Sequence, residues 1–398
     1  PLPVQYADYA LWQRDMLGDP EDPDSTAHEQ LAHWRKALDG IPAETRLPAD
    51  RPRPTEPSHR GAVVTAELDA GAHRALAAVA RARRGTFFMV ARAALALALR
   101  AAGAGEDIVV GTAVAGRPEE DLHALVGFFV NTLALRTDLS GDPGLGALVD
   151  RVRETDLVAF AHEDLPFDLL VEDLNPERSL GRHPFFQVML SAQTRQEDET
   201  VRLGTVPAVL DDADLATAKF DLSFHCRERA DGGGVLLGLQ YATDLYDEDT
   251  ARLLLTLFRR ALTAFAEERD STPLSRVRLL TDGERDALDR RHRALAEAPP
   301  TRTTGESERT GPRSVRDPRE EILNGLFAEI LDRDDVRPGD NFFKLGGHSL
   351  LAGKLTNRIR GALGLQAAIR DVFLAPTPRQ LLRRLGERGA GAPLAEAA

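Results

Sequence analysis

DNFFKLGGHSLLAGKL, residues 340–355, decides the fold of the C-terminal part of this chain. Gly346 and Gly347 let the backbone turn sharply and leave its surface open. Ser349 follows them at the head of an apolar-periodic run, so its hydroxyl is expected at the start of a helix and exposed. An anionic group attached there meets unpaired amide N–H groups and the positive end of the helix dipole. Phe342, Phe343 and Leu345 are placed to anchor the loop on a core. Taken alone, a serine after glycines reads more simply as a helix N-cap; the complete motif turns the reading toward a modified serine.

Working outward, helices are predicted over 320–332, 349–363 and 376–387, the last opened by Pro376. They make a small helical bundle, with 388–398 as a tail. Upstream, residues 291–318 are rich in Pro, Thr, Ser, Gly and charge and read as a flexible linker. Residues 1–290 read as one α/β unit. Helices are expected over 28–38, 70–101 (broken near Arg84-Gly85), 145–162 and 247–268. Strands are expected in GAVVT, DIVVGTAVAG, LVGFFVNTLALR, HPFFQVMLSAQ and a hairpin turning at Asp231-Gly232-Gly233-Gly234. DIVVGTAVAG and LVGFFVNTLALR are nearly continuous in apolar residues, the pattern of strands covered on both faces.

The 398 residues suggest two or three domains. A net charge of −13 argues against a nucleic-acid partner. The single cysteine, Cys226, excludes an internal disulfide and a Cys-rich metal site, as in a reducing cytoplasm. No apolar run reaches membrane-spanning length, so no membrane association is expected. No signal peptide is evident. A start at Pro1 suggests excision from a longer polypeptide.

Residues 340–355 closely resemble the phosphopantetheine attachment site of peptidyl carrier domains, and EEILNGLFAEIL and IRDVFLAPTPRQLLRRL resemble that family's first and last helices. The resemblance spans 319–387 and implies a four-helix carrier with 4'-phosphopantetheine on Ser349. Four further stretches, in the family's order, resemble the second half of a condensation domain of nonribosomal peptide synthetases. They are YADYALWQ (6–13), VGFFVNTLALR (126–136), HEDLPFDLL (162–170) and SLGRHPFFQVML (179–190). In the last, Glu177-Arg178-Ser179 with Leu180 replaces the usual Arg-Asp start. The implied fold is an acetyltransferase-like C-terminal lobe, one wall of a tunnel in which an acceptor amine attacks a donor thioester.

Each motif also has a structural reading. Asn131 and Thr132 lie in an expected buried strand, where polar groups need partners, and a structural role for Asn131 is favoured. Asp164 and Pro166 fit a helix cap and first turn. Tyr6 and Trp12 fit core or inter-lobe packing.

The family's His-His-x-x-x-Asp-Gly motif is absent, since no two of the ten histidines are adjacent. His225 with Asp231-Gly232 is spaced one residue too long. No catalytic residue and no metal site is therefore assigned, and the chain alone is expected not to condense substrates. The N-terminal lobe is expected on a missing segment or on another chain. No adenylation domain lies between lobe and carrier, so loading in trans is expected. The implied partners are an adenylation domain, a phosphopantetheinyl transferase, neighbouring synthetase modules and the N-terminal lobe. The alternatives are a non-catalytic carrier-docking module and an epimerisation-type relative.

Overall fold

The computed structural model describes residues 2–54, 57–117, 119–174, 182–193, 200–203, 206–209, 216–229, 232–297, 318–331, 333, 335–342, 345, 349–368, 371–372 and 375–389. They fall into two compact units that divide near residue 301.

The first unit is built on a six-stranded sheet. In chain order its strands are β1 (Gly61–Leu68), β2 (Asp107–Val114), β3 (Asn131–Asp138), β4 (Val188–Gln193), β7 (Leu222–Glu228) and β8 (Val235–Ala242). Across the sheet the order is β1-β8-β7-β4-β2-β3. The β2–β4 and β4–β7 pairings are parallel and the others antiparallel. A separate two-stranded ribbon pairs β5 (Thr200–Leu203) with β6 (Val206–Val209).

Alternation along the strands sorts side chains to two faces. Ile108 and Val110 join one core with Val188, Leu190 and Phe224, while Val109 and Met189 join another. The first core is covered by α3 (Ala70–Ala82), α4 (Phe87–Ala101), α5 (Leu145–Phe160) and α7 (Glu248–Glu267). The second is covered by α2 (Thr26–Ala37) and α6 (Phe167–Leu174). The break between α3 and α4 falls at Arg84-Gly85, as expected. Arg84 takes φ 52°, and Thr86 restarts the helix by accepting from the Met89 amide at 3.3 Å. Within α4, otherwise apolar on all sides, Arg92 is fully buried and bonds Thr137 of β3, Thr155 and Asp156 of α5.

Two expectations for this unit need correction. The run LVGFFVNTLALR is not one covered strand: β3 begins only at Asn131, and the five residues before it are irregular. The stretch expected as linker from 291 starts inside a helix, because α8 (Asp282–Glu297) runs on through it. Residues 298–317 lie outside the described residues, as do Asp231 and the motif start at 177–180.

The second unit holds α9 (Pro318–Ile330), α10 (Ser349–Leu363), α11 (Pro378–Gly389) and a helical turn at Asp371-Val372. Leu323, Phe327, Leu355, Ile359, Leu381 and Leu385 form its core. The last helix is opened by Pro378, not Pro376. Thr377 Oγ1 accepts from the Gln380 amide at 3.2 Å, which makes Thr377 the cap and Pro378 the first helical residue. Pro376 instead gives its carbonyl to the Phe342 amide at 2.7 Å.

Candidate functional site

Ser349 is the first residue of α10, the place expected for it. The loop before it is pinned by Phe342, which is fully buried and meets Phe327 edge-on at 5.3 Å. Phe343 and Gly346-Gly347 lie outside the described residues, and Leu345 is half-buried. A 15-residue helix leaves its first amides without intrahelical partners. That matches the acceptor-only oxygens of a phosphodiester, so a serine-linked phosphopantetheine fits this position.

In the first unit the motifs converge on the turn at residues 162–167. Asn131 grips it with all of its side-chain capacity. Its Nδ2 donates to the carbonyls of Glu163 and Leu165, both at 2.7 Å. Its Oδ1 accepts from the Thr132 amide at 2.8 Å and from the Phe167 amide at 3.0 Å. The cap of α6 therefore comes from Asn131 across the fold. Asp164, expected to cap that helix, instead accepts from Gln30 Nε2 at 3.1 Å.

Two residues of α2 complete the grip, and sequence reasoning missed both. Gln30 Oε1 accepts from the Leu165 amide at 2.9 Å, and Trp34 Nε1 donates to the His162 carbonyl at 2.9 Å. Both lie on the buried face of α2 with Ala27 and Leu31. A glutamine on an otherwise apolar helix stripe was the available signal. His162 stacks on His33 at 4.0 Å, and burial together with His162 holds the His33 imidazolium below its ordinary range. Burial and the Asp164 charge raise the Glu163 carboxyl.

The segment just ahead of Asn131 is built differently. Phe129 is buried against Tyr9 at 4.6 Å and edge-on to Tyr6 at 5.2 Å, both from α1 (Tyr6–Leu17). Tyr6 Oη donates to the Phe128 carbonyl at 2.8 Å, and the Arg117 guanidinium lies 4.0 Å from the Phe129 ring centre. Gly127 is required here because a Cβ would run into the Tyr6 ring. With Phe129 as the only anchor, its neighbours point outward: Val126 is 94% exposed, Phe128 79% and Val130 48%. Leu11 and Trp12 of α1 are also exposed, at 53% and 50%. A short stretch with Val126, Phe128 and Val130 all exposed marks a candidate interaction surface.

His225 has no part in this site. It sits on β7 facing solvent, with Nδ1 2.9 Å from Ser191 Oγ. Among the described residues no group of three or more potential metal ligands occurs, and no helix is long and apolar enough to cross a membrane.

Known proteins resemble this chain along both units. The condensation domain family model matches residues 1–288, and the model described as a phosphopantetheine attachment site matches 321–385. A probable non-canonical nonribosomal peptide synthetase, CymA of Salinispora arenicola, is 47% identical over 288 residues, 72% of this chain. The isonitrile lipopeptide synthase of Mycobacterium tuberculosis is 38% identical over 366 residues, 91% of this chain. The chain spans only 4% and 14% of those two proteins.

Among solved structures, the X-domain from teicoplanin biosynthesis in complex with OxyB is 35% identical with a TM-score of 0.64, covering 71% of this chain and 62% of that one. A holo four-domain nonribosomal peptide synthetase bound to AMP and glycine superposes with a TM-score of 0.62 over 89% of this chain and 26% of its own. At 20% identity it speaks for the fold alone. The chain belongs to the condensation domain family of nonribosomal peptide synthetases and carries a phosphopantetheine-binding carrier domain after it.

Proposed function

We propose that the first unit is the C-terminal lobe of an amide-bond-forming condensation domain, and that the carrier presents its acceptor as a thioester on a phosphopantetheine attached to Ser349. One observation carries the lobe reading: Val126, Phe128 and Val130 are exposed directly ahead of Asn131, which clamps the 162–167 turn together with Gln30. A rigid site next to an uncovered apolar surface is half of an interface, and a second lobe is the partner that fits it. That lobe supplies the base that positions or deprotonates the attacking amine and the second tunnel wall that holds two thioesters in register.

Condensation therefore requires the N-terminal lobe. With loaded donor and acceptor carriers, this chain alone gives background product, and adding the N-terminal lobe restores turnover. Turnover by the chain alone overturns the reading. The carrier is loaded in trans by an adenylation protein after a phosphopantetheinyl transferase installs the arm. Intact mass after incubation with coenzyme A and such a transferase gains one arm, and a Ser349→Ala variant gains none.

A docking-platform reading draws on the likeness to the X-domain solved in complex with OxyB. It predicts binding of a partner enzyme with no condensation even when the N-terminal lobe is present.

A further inference from the structure

β3 is the outermost strand on its side of the sheet and pairs only with β2. Just beyond it the Leu139 amide donates to the Glu106 carbonyl at 2.8 Å. Antiparallel pairing alternates, so the main-chain groups of Leu133, Leu135 and Thr137 turn to β2, and those of Thr132, Ala134, Arg136 and Asp138 turn outward. Side chains serve the two ends of that outward row. The Thr132 amide donates to Asn131 Oδ1 at 2.8 Å, and Arg151 Nη1 donates to the Asp138 carbonyl at 3.1 Å. Between them, the outward amides and carbonyls of Ala134 and Arg136 have no partner among the described residues. Ala134 is only 2% exposed, so its two groups are withdrawn from bulk water as well as unpaired, a costly state for backbone.

These groups lie on the floor of a groove of about 390 Å³. Its walls are the two helices that cover opposite faces of the sheet. Trp34 and Ala37 of α2 stand on one side, and Val158 and Ala159 of α5 on the other. Val158 is 46% exposed, an apolar side chain at the lip with nothing over it. Glu154, one turn earlier on α5, also lines the groove and has no ion-pair partner among the described residues. A strand edge with free main-chain groups, set between apolar walls, is a template for pairing with another chain.

We propose that this groove takes a short extended segment of a partner protein, which adds to β3 as a further strand. Its amides and carbonyls pair with those of Ala134 and Arg136. Its side chains alternate between the two faces, as in any strand, so one set meets Val158 and Ala159 and the other meets Trp34 and Ala37. A lysine or arginine on the segment answers Glu154. The recess selects this occupant. A second copy would bring an edge equally sunk between its own α2 and α5, and two sunken edges cannot meet. A helix has spent its main-chain groups internally and has none for the floor. A strand rises about 3.3 Å per residue, so the open row takes a segment of about four residues.

The probe is an acetylated pentapeptide amide, a lysine followed by alternating valine and threonine, titrated into the full chain. The amide resonances of Ala134 and Arg136 should shift and approach saturation at about 1 mM peptide, the range of a few main-chain bonds. Two N-methylated forms give the decisive contrast, one blocked on its valine amides and the other on its threonine amides. Only one set faces β3 in a paired strand, so one form should bind roughly tenfold more weakly and the other should keep its affinity. Val158→Asp puts a charge on one wall and should weaken the parent peptide roughly tenfold. It should leave the urea midpoint in place, because that side chain already faces water. Glu154→Gln should cost about threefold. No shift at Ala134 and Arg136 well above that concentration would overturn the proposal. So would equal loss in both methylated forms, which marks an apolar pocket without strand pairing, or shifts that follow dimerisation of the chain instead of peptide.

Discussion

Residues 126–130 and 131–138 are adjacent in one apolar run and have opposite fates. The second stretch is a strand whose Leu133, Ala134 and Leu135 are buried, and its first residue clamps a distant turn. The first stretch turns Val126 and Phe128 to solvent and keeps only Phe129 inside. The segment before Asn131 is the more apolar of the two, with four apolar residues of five against three of eight in the strand. The difference lies in what is at hand to cover it: β2, α5 and α6 for the strand, and α1 with Arg117 and Leu122 on the Phe129 side alone for the segment before it. Under the two-lobe reading these uncovered residues are kept for the second lobe.

The strand side should be the costly side to break. Asn131→Ala removes donors from two carbonyls and an acceptor from two amides at one point. The expected loss is about 3 kcal/mol of lobe stability, read from the urea midpoint. A loss below about 1 kcal/mol would mean that water replaces the clamp, and the contrast between the two halves would fail. Gly127→Ala tests the joint between them. Its Cβ must displace Tyr6, which also holds the Phe128 carbonyl, so about 2 kcal/mol should be lost. Tyr6→Phe in the same background keeps the ring and the clash, so it should not rescue the variant, whereas Tyr6→Ala should recover part of the loss.

Much of this was legible in the sequence because local signals agreed with the global fold. The Arg84-Gly85 break, the start of α10 at Ser349 and the hairpin strands β7 and β8 all follow from periodicity and turn chemistry. The exposed half of 126–136 was not legible, since hydropathy reports what a residue prefers and not whether this chain provides its cover. The cap on α6 was misassigned for a related reason. Asp164 has the right identity and spacing, but Gln30 takes its carboxylate and Asn131 reaches Phe167 from another strand. In the carrier, Pro376 and Pro378 both suit a first helical turn; the Thr377 cap ahead of Pro378 and the bond from the Phe342 amide to the Pro376 carbonyl separate them. The expected start of a linker at 291 falls inside α8, because that helix is polar enough to read as a tether.

A smaller effect should appear with pH, again on the strand side. His183 packs between Phe167, Phe186 and Phe220 behind the clamped turn, and burial holds its imidazolium below the ordinary 6.5. The folded lobe therefore binds that proton more weakly than the unfolded chain does. This contribution to stability is complete above 6.5 and declines as pH falls through it. His33 acts in the same direction. Buried Asp156, whose carboxyl is raised to about 6, acts the other way over the same range. The His183 share is therefore read as the difference in midpoint slope between the parent and His183→Asn from about pH 7.5 to about pH 5.5, the parent losing more as pH falls. An unchanged slope would show that His183 does not titrate differently on folding.

The smallest effect on stability is expected on the exposed side. There it is the absence of a stability change that sharpens the comparison. Val126→Ser with Phe128→Ser removes two side chains that already face water, so the urea midpoint should stay within about 0.5 kcal/mol of the parent. Gly127 and Phe129 are untouched, and Tyr6 keeps its bond because it goes to the Phe128 backbone. If these residues serve a second lobe, the same variant should lose association with that lobe, read by the concentration of N-terminal lobe needed to restore condensation. Truncating two apolar anchors at an interface costs at least ~2 kcal/mol, roughly a thirtyfold rise in that concentration. A stable variant with unchanged restoration would show that the strip faces something other than the second lobe. A destabilised variant would show that residues 126–130 are held in the lobe after all, and the two halves of the run would no longer differ.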